Sequence, residues 1–101
     1  MKESALVQQV LTYLKFKGHF VWRNNTGATR AGPFGERFIR YGLVGSSDVL
    51  GCAKDGKLIA VECKIKPRKP TQYQQEFLEE VRKRGGYAVL AYDLRDVENI
   101  L

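Results

Sequence analysis

The sequence predicts an α/β domain in which a mixed β-sheet is flanked by helices, in the order α-β-β-β-β-α-β-α. Three observations carry this. Two stretches have apolar residues at the helical period, one near the start and one from Thr71. Short runs rich in β-branched and aromatic residues lie between and after them. The chain has 101 residues, 44% of them hydrophobic, which suits one modest core and a single domain over 1–101.

Residues 4–17 read as the first helix. Leu6, Val7, Val10, Leu11 and Leu14 recur at its period, and Gly18 stops it. Glu3 then heads the buried stripe formed with Val7, Val10 and Leu14. "HFVWR" (19–23) reads as a short strand, with Trp22 in the core or available to stack on a base, as is Tyr41. "NNTGATRAGPFGE" (24–36) reads as a loop, long enough to suggest a functional element. "RFIRY" (37–41), "DVLGCA" (48–53) and "IAVECKI" (59–65) read as strands. Thr71 with Gln74 has capping-box spacing at the head of the second helix. Its expected apolar stripe is Tyr73, Phe77, Leu78 and Val81, and "RGG" ends it. "YAVLAY" (87–92) is the last strand and "DLRDVENIL" a short closing helix.

Composition narrows the function. No apolar run is long enough to span a membrane, and the start lacks the form of a signal peptide, so the expected location is cytoplasmic with no membrane partner. Cys52 and Cys63, with one His, make neither a zinc signature nor a disulfide framework, and read as buried reduced thiols. Seventeen Lys and Arg against eleven Asp and Glu give a net charge of +6, which favours a polyanionic partner, nucleic acid first. Arg23, Arg30, Arg37 and Arg40 form one basic cluster, and Lys64, Lys66, Arg68 and Lys69 another.

The chemistry concentrates in "IAVECKI". Its ends suit a buried strand, yet Glu62 and Lys64 lie two apart and project from one face. Burying a carboxylate and an ammonium costs several kcal/mol per ion, roughly, unless both are paired. The preceding "KDGK" (54–57) is a hairpin signal that allows two registers. A two-residue Asp-Gly loop sets Asp48 opposite Cys63. A three-residue loop with Gly56 left-handed sets Asp48 opposite Glu62, and Asp48, Glu62 and Lys64 then share a face. Opposed carboxylates repel, and a divalent cation removes the conflict. Such a cation also acidifies a water and steadies charge on a phosphate. An edge strand with a solvent-exposed Glu–Lys pair, worth about 0–1 kcal/mol, is the plainer alternative.

Asp48, followed fourteen residues later by Glu62-Cys63-Lys64, resembles the signature of the PD-(D/E)XK nuclease superfamily. The wider pattern is similar to its virus-type replication-repair branch, the VRR-NUC domain: Glu3 on an early helix, "GSSD" (45–48), "ECK" (62–64) and Gln74 in "QQEFL". "FVWRNNTG" (20–27) also resembles the strand and loop of small phage members. Ser47 stands where the family pattern has Pro. The resemblance implies a restriction-endonuclease-like core. It implies Mg²⁺, with Mn²⁺ able to substitute, held by Asp48, Glu62 and the backbone carbonyl of Cys63, with Glu3 completing the acidic cluster. Lys64 would orient the attacking water and Gln74 would bond to the catalytic residues or substrate. Glu3 also has a plainer reading, a carboxylate favoured by the helix dipole by about 0.3–1 kcal/mol. Gln74 has the cap.

Arg23, Asn24, Arg30, Arg37 and Lys66 are candidates for phosphate contacts, which give affinity without reading sequence. The expected function is a Mg²⁺-dependent DNA endonuclease. A homodimer would match two sites to the two strands of a duplex or branched substrate such as a Holliday junction. The chain length is compatible with a phage or prophage origin. A basic nucleic-acid-binding module without catalysis is the alternative.

Overall fold

The computed structural model describes every residue except Thr26, and for Ala28 and Tyr41 the backbone alone. Helix α1 is Glu3–Phe16, β1 Phe20–Arg23, β2 Gly27–Ala31 and β3 Arg37–Tyr41. Strands β4, Val49–Cys52, and β5, Leu58–Cys63, follow, then α2, Gln72–Lys83, β6, Tyr87–Ala91, and α3, Leu94–Glu98. The main sheet has the order β1-β4-β5-β6. Its β1–β4 and β4–β5 pairs are antiparallel and β5–β6 is parallel, so the sheet is mixed.

Strand β5 lies at the centre of the sheet, and its alternation divides the core into two layers. Ile59, Val61 and Cys63 pack with Leu6, Val10 and Leu14 of α1 and Val97 of α3. Ala60 packs on the other side with Leu78 and Val81 of α2. A right-handed crossover through α2 is the standard way to join parallel neighbours such as β5 and β6. Thr71 caps α2: its hydroxyl accepts from the Gln74 N–H at 3.2 Å, and Gln74 Oε1 accepts from the Thr71 N–H at 2.9 Å.

The loop expected over 24–36 is instead half of a second sheet. Strands β2 and β3 pair antiparallel from Gly27↔Tyr41 to Ala31↔Arg37. The element order therefore gains a strand, α-β-β-β-β-β-α-β-α. Small residues in "GATRA" give no apolar alternation, and the strand exists through its hydrogen bonds to β3. Among the described residues this hairpin makes no extended contact with another element. The radius of gyration, 14.6 Å, exceeds the ~13 Å typical of a compact chain of this length.

Three burial expectations are also corrected. Trp22 is on an open face, 45% exposed, its ring tilted 56° against that of Phe20. Cys52 is exposed, while Cys63 is buried, and both are free thiols. Tyr73 lies outside the buried stripe of α2, 64% exposed. The Tyr41 side chain, expected to stack on bases, lies outside the described residues.

Candidate metal centre and nucleic-acid interface

The β4–β5 turn sets the register. The Gly56 N–H donates to the Ala53 carbonyl at 2.8 Å, and the Ala53 N–H to the Lys57 carbonyl at 2.8 Å. Gly56 has φ +89°, which L side chains rarely adopt, so glycine closes the three-residue loop. The ladder then runs Cys52↔Leu58, Gly51↔Ile59, Leu50↔Ala60 and Val49↔Val61. One step further, Asp48 faces Glu62.

At that step the strands part. The next ladder bond of this register would join the Cys63 N–H to the Ser47 carbonyl. The Cys63 N–H donates to Asp48 Oδ2 instead, at 2.8 Å. The Ser47 carbonyl accepts from Asn24 Nδ2 at 3.0 Å, and the same nitrogen contacts Ser46 Oγ at 2.7 Å. The Asn24 N–H donates to the Asp48 carbonyl at 2.7 Å. Asn24, read as a phosphate contact, is half-buried and ties down the turn that carries Asp48.

Glu3 arrives from the start of α1. Oxygens of Glu3, Asp48 and Glu62 all lie within 4.8 Å of one another. Glu62 is 2% exposed. Its carboxyl is pushed up from 4.5 to about 9, first by burial, then by the hydrogen bond and repulsion of Asp48; Lys64 opposes the rise and Glu3 adds to it. Lys64, also buried, brings Nζ to 4.0 Å from Glu62 Oε2. That is too long for a direct hydrogen bond. Buried Glu62 Oε1 and Glu3 Oε2 have no hydrogen-bond partner among the described residues. An all-oxygen donor set with unpartnered carboxylate oxygens fits a hard divalent cation. The Cys63 side chain points into the α1 layer, and its thiol is pushed up by burial and by Asp48 and Glu62, which removes the thiol from the candidate donors.

The other sequence candidates are dispersed. Gln74 Oε1 is committed to the α2 cap, and Gln75 turns back to the Pro70 carbonyl. Arg23 is exposed at the end of β1, opposite Val49, and its charge reaches Cys63. Lys66 is exposed, with Nζ over the Tyr92 ring. Arg30 and Arg37 sit on the separate hairpin, where Arg30 and Arg40 flank the Phe38 ring at 5.7 and 5.4 Å. Arg68, read from the sequence only as a member of a basic cluster, places its Nη1 4.0 Å from Glu3 Oε2. Its place in the basic "KPRKP" just after Lys64 was the available signal.

No helix is long and apolar enough to cross a membrane among the described residues. Neither a protein-family model nor a curated protein sequence matches this chain.

Proposed function

We propose that this chain is a divalent-metal-dependent endodeoxyribonuclease of the PD-(D/E)XK type, similar to VRR-NUC domains. The observation that supports the reading is the meeting of Glu3 from α1, Asp48 from the turn before β4 and Glu62 from β5, with buried oxygens that lack hydrogen-bond partners among the described residues and the Lys64 amine beside them. Asp48, Glu62 and the Cys63 carbonyl would hold Mg²⁺ or Mn²⁺, with Glu3 adding charge. A bound cation supplies Lewis-acid charge for the phosphate and acidifies a water. Lys64, beside Glu62, would hold that water or a phosphate oxygen. Asn24 and the Cys63 N–H hold Asp48 in place. Hydrolysis then adds water across one P–O bond of the backbone.

Arg23 at the end of β1, exposed Lys66 after β5, and Arg30 and Arg37 on the separate second hairpin would grip phosphates without sequence reading. Gln74 is assigned to the helix cap rather than to substrate. A cytoplasmic homodimer acting on duplex or branched DNA, as in a phage-encoded nuclease, completes the proposal.

The test is cleavage of supercoiled plasmid and of a four-way junction with Mg²⁺ or Mn²⁺. The nuclease reading expects products that vanish with EDTA, with Glu62→Ala and with Lys64→Ala, while circular dichroism stays unchanged. Salt-sensitive DNA binding without cleavage in either metal overturns it and leaves a binding module.

A further inference from the structure

The α2 layer covers only part of its side of the sheet. Residues Phe20, Cys52 and Leu58 lie side by side across β1, β4 and β5, and all three are exposed. Trp22 continues this face beside Phe20, with ring centroids 5.5 Å apart. Leu58 also lines a cavity of about 730 Å³ with Leu43, Val44, Tyr73 and Phe77, so the open sheet face runs on into a groove beside α2. Phe20, Trp22, Leu43, Val44, Leu58 and Tyr73 are each between 45% and 73% exposed.

Together these six leave on the order of 700 Å² of mostly apolar surface in water. That exceeds the ~300–600 Å² of the largest patch on a typical monomer. It is close to the ~800 Å² that each partner contributes to a stable interface of standard size.

Charge selects the occupant. The chain as a whole is at +6, which opposes self-association through most surfaces. The edge of this groove is balanced instead: Lys57 and Arg84 against Glu76 and Glu80, with Arg84 already paired to Glu80. A polyanion gains nothing here. A second copy meets a neutral, apolar face that matches its own, as a two-fold interface requires.

We infer that the open face of β1, β4 and β5, with the groove beside α2, is the self-association surface of this protein. This gives the homodimer of the proposed function a location, and it stands or falls without any cleavage being observed. Trp22 is the single tryptophan, and Cys52 is the exposed one of two thiols. Both therefore report on this face.

The experiment is sedimentation velocity across a concentration series, with Trp22 emission and the Cys52 alkylation rate read on the same samples. The expected result is a dimer at tens of micromolar, with Trp22 emission shifting red and Cys52 alkylation accelerating on dilution. Leu58→Glu and Phe20→Glu, at exposed positions, should sediment as monomers with unchanged circular dichroism, and Cys52 should react at one rate at every concentration. A monomeric wild-type chain at the highest concentration overturns the inference. So does a dimer that both variants preserve, or a Trp22 signal that answers to added DNA and not to protein concentration. A dimer that both variants break and that cuts no DNA upholds this surface and sinks only the nuclease reading; an active monomer does the reverse.

Discussion

The molecule has two antiparallel hairpins that treat charge in opposite ways. In β4–β5 the strands are central, and the end of the hairpin buries Glu62 and Lys64 beside Asp48. In β2–β3 the strands pair, among the described residues, only with each other, and Arg30, Arg37 and Arg40 are exposed around Phe38 and Ile39. Burial makes a charge costly and its position well defined, which suits chemistry at a fixed atom. Exposure makes a charge cheap and interchangeable, which suits a grip on a repeating polyanion. The contrast teaches which residues are to be irreplaceable and which are to act in sum.

The largest expected effect sharpens that contrast. Glu62→Ala, which removes a proposed metal ligand, should abolish plasmid cleavage, and Lys64→Ala should lower it by about 10²–10⁴-fold, the range of a positioned acid–base group. Arg30→Ala and Arg37→Ala should each weaken DNA binding, read by fluorescence anisotropy, and reduce its salt slope by about one. Equal losses from both hairpins would erase the distinction.

Packing gives the second comparison. At Gly51 in β4 an added Cβ would lie 2.7 Å from Val21 Cα, where β1 crosses. Gly51→Ala should destabilise by about 1–3 kcal/mol in urea denaturation. Phe34, at the tip of the other hairpin, is 93% exposed, and Phe34→Ala should stay within about 0.5 kcal/mol.

A third effect is set by pH. The Glu62 carboxyl is raised from 4.5 to about 9. Between those values the folded chain keeps a proton that the unfolded chain has lost, so metal-free stability should fall as pH rises through this window. Glu62→Gln should remove that slope and be the more stable protein at pH near 8, as read by thermal melts. Added Mn²⁺ should oppose the slope, because it binds the deprotonated carboxylate.

The smallest effect concerns Gln74. Thr71→Ala should cost about 1 kcal/mol through the lost cap. Gln74→Ala should cost no more than that and leave cleavage within about twofold, as expected for a cap of this strength. A Gln74→Ala protein that folds normally but cuts no DNA would return Gln74 to the catalytic group.

The two hairpins also differ in how much of them could be read beforehand. Asp55-Gly56 is turn chemistry that allows two registers, and the ladder counted from a three-residue loop is the one that brings Asp48 to Glu62, so their meeting was legible as one of two alternatives. So was the Thr71–Gln74 cap, a local pairing three residues apart. Strand β2 was not, because its small residues bury no alternating face. Trp22 was misplaced because Phe20, Val21 and Trp22 are all apolar, and the sequence does not say which side α1 will cover; it covers Val21. The grip of Asn24 on Ser46 and Ser47 spans 22 and 23 residues, and Arg68 meets Glu3 across most of the chain. Contacts of that range leave no periodic trace.

Anomalous scattering from a crystal soaked in Mn²⁺ tests the central claim most directly. The account predicts one strong peak within coordination distance of Asp48 and Glu62 carboxylate oxygens, lost in Glu62→Gln. A fully soaked crystal with no peak there, or with manganese only on exposed carboxylates such as Glu79, would contradict it.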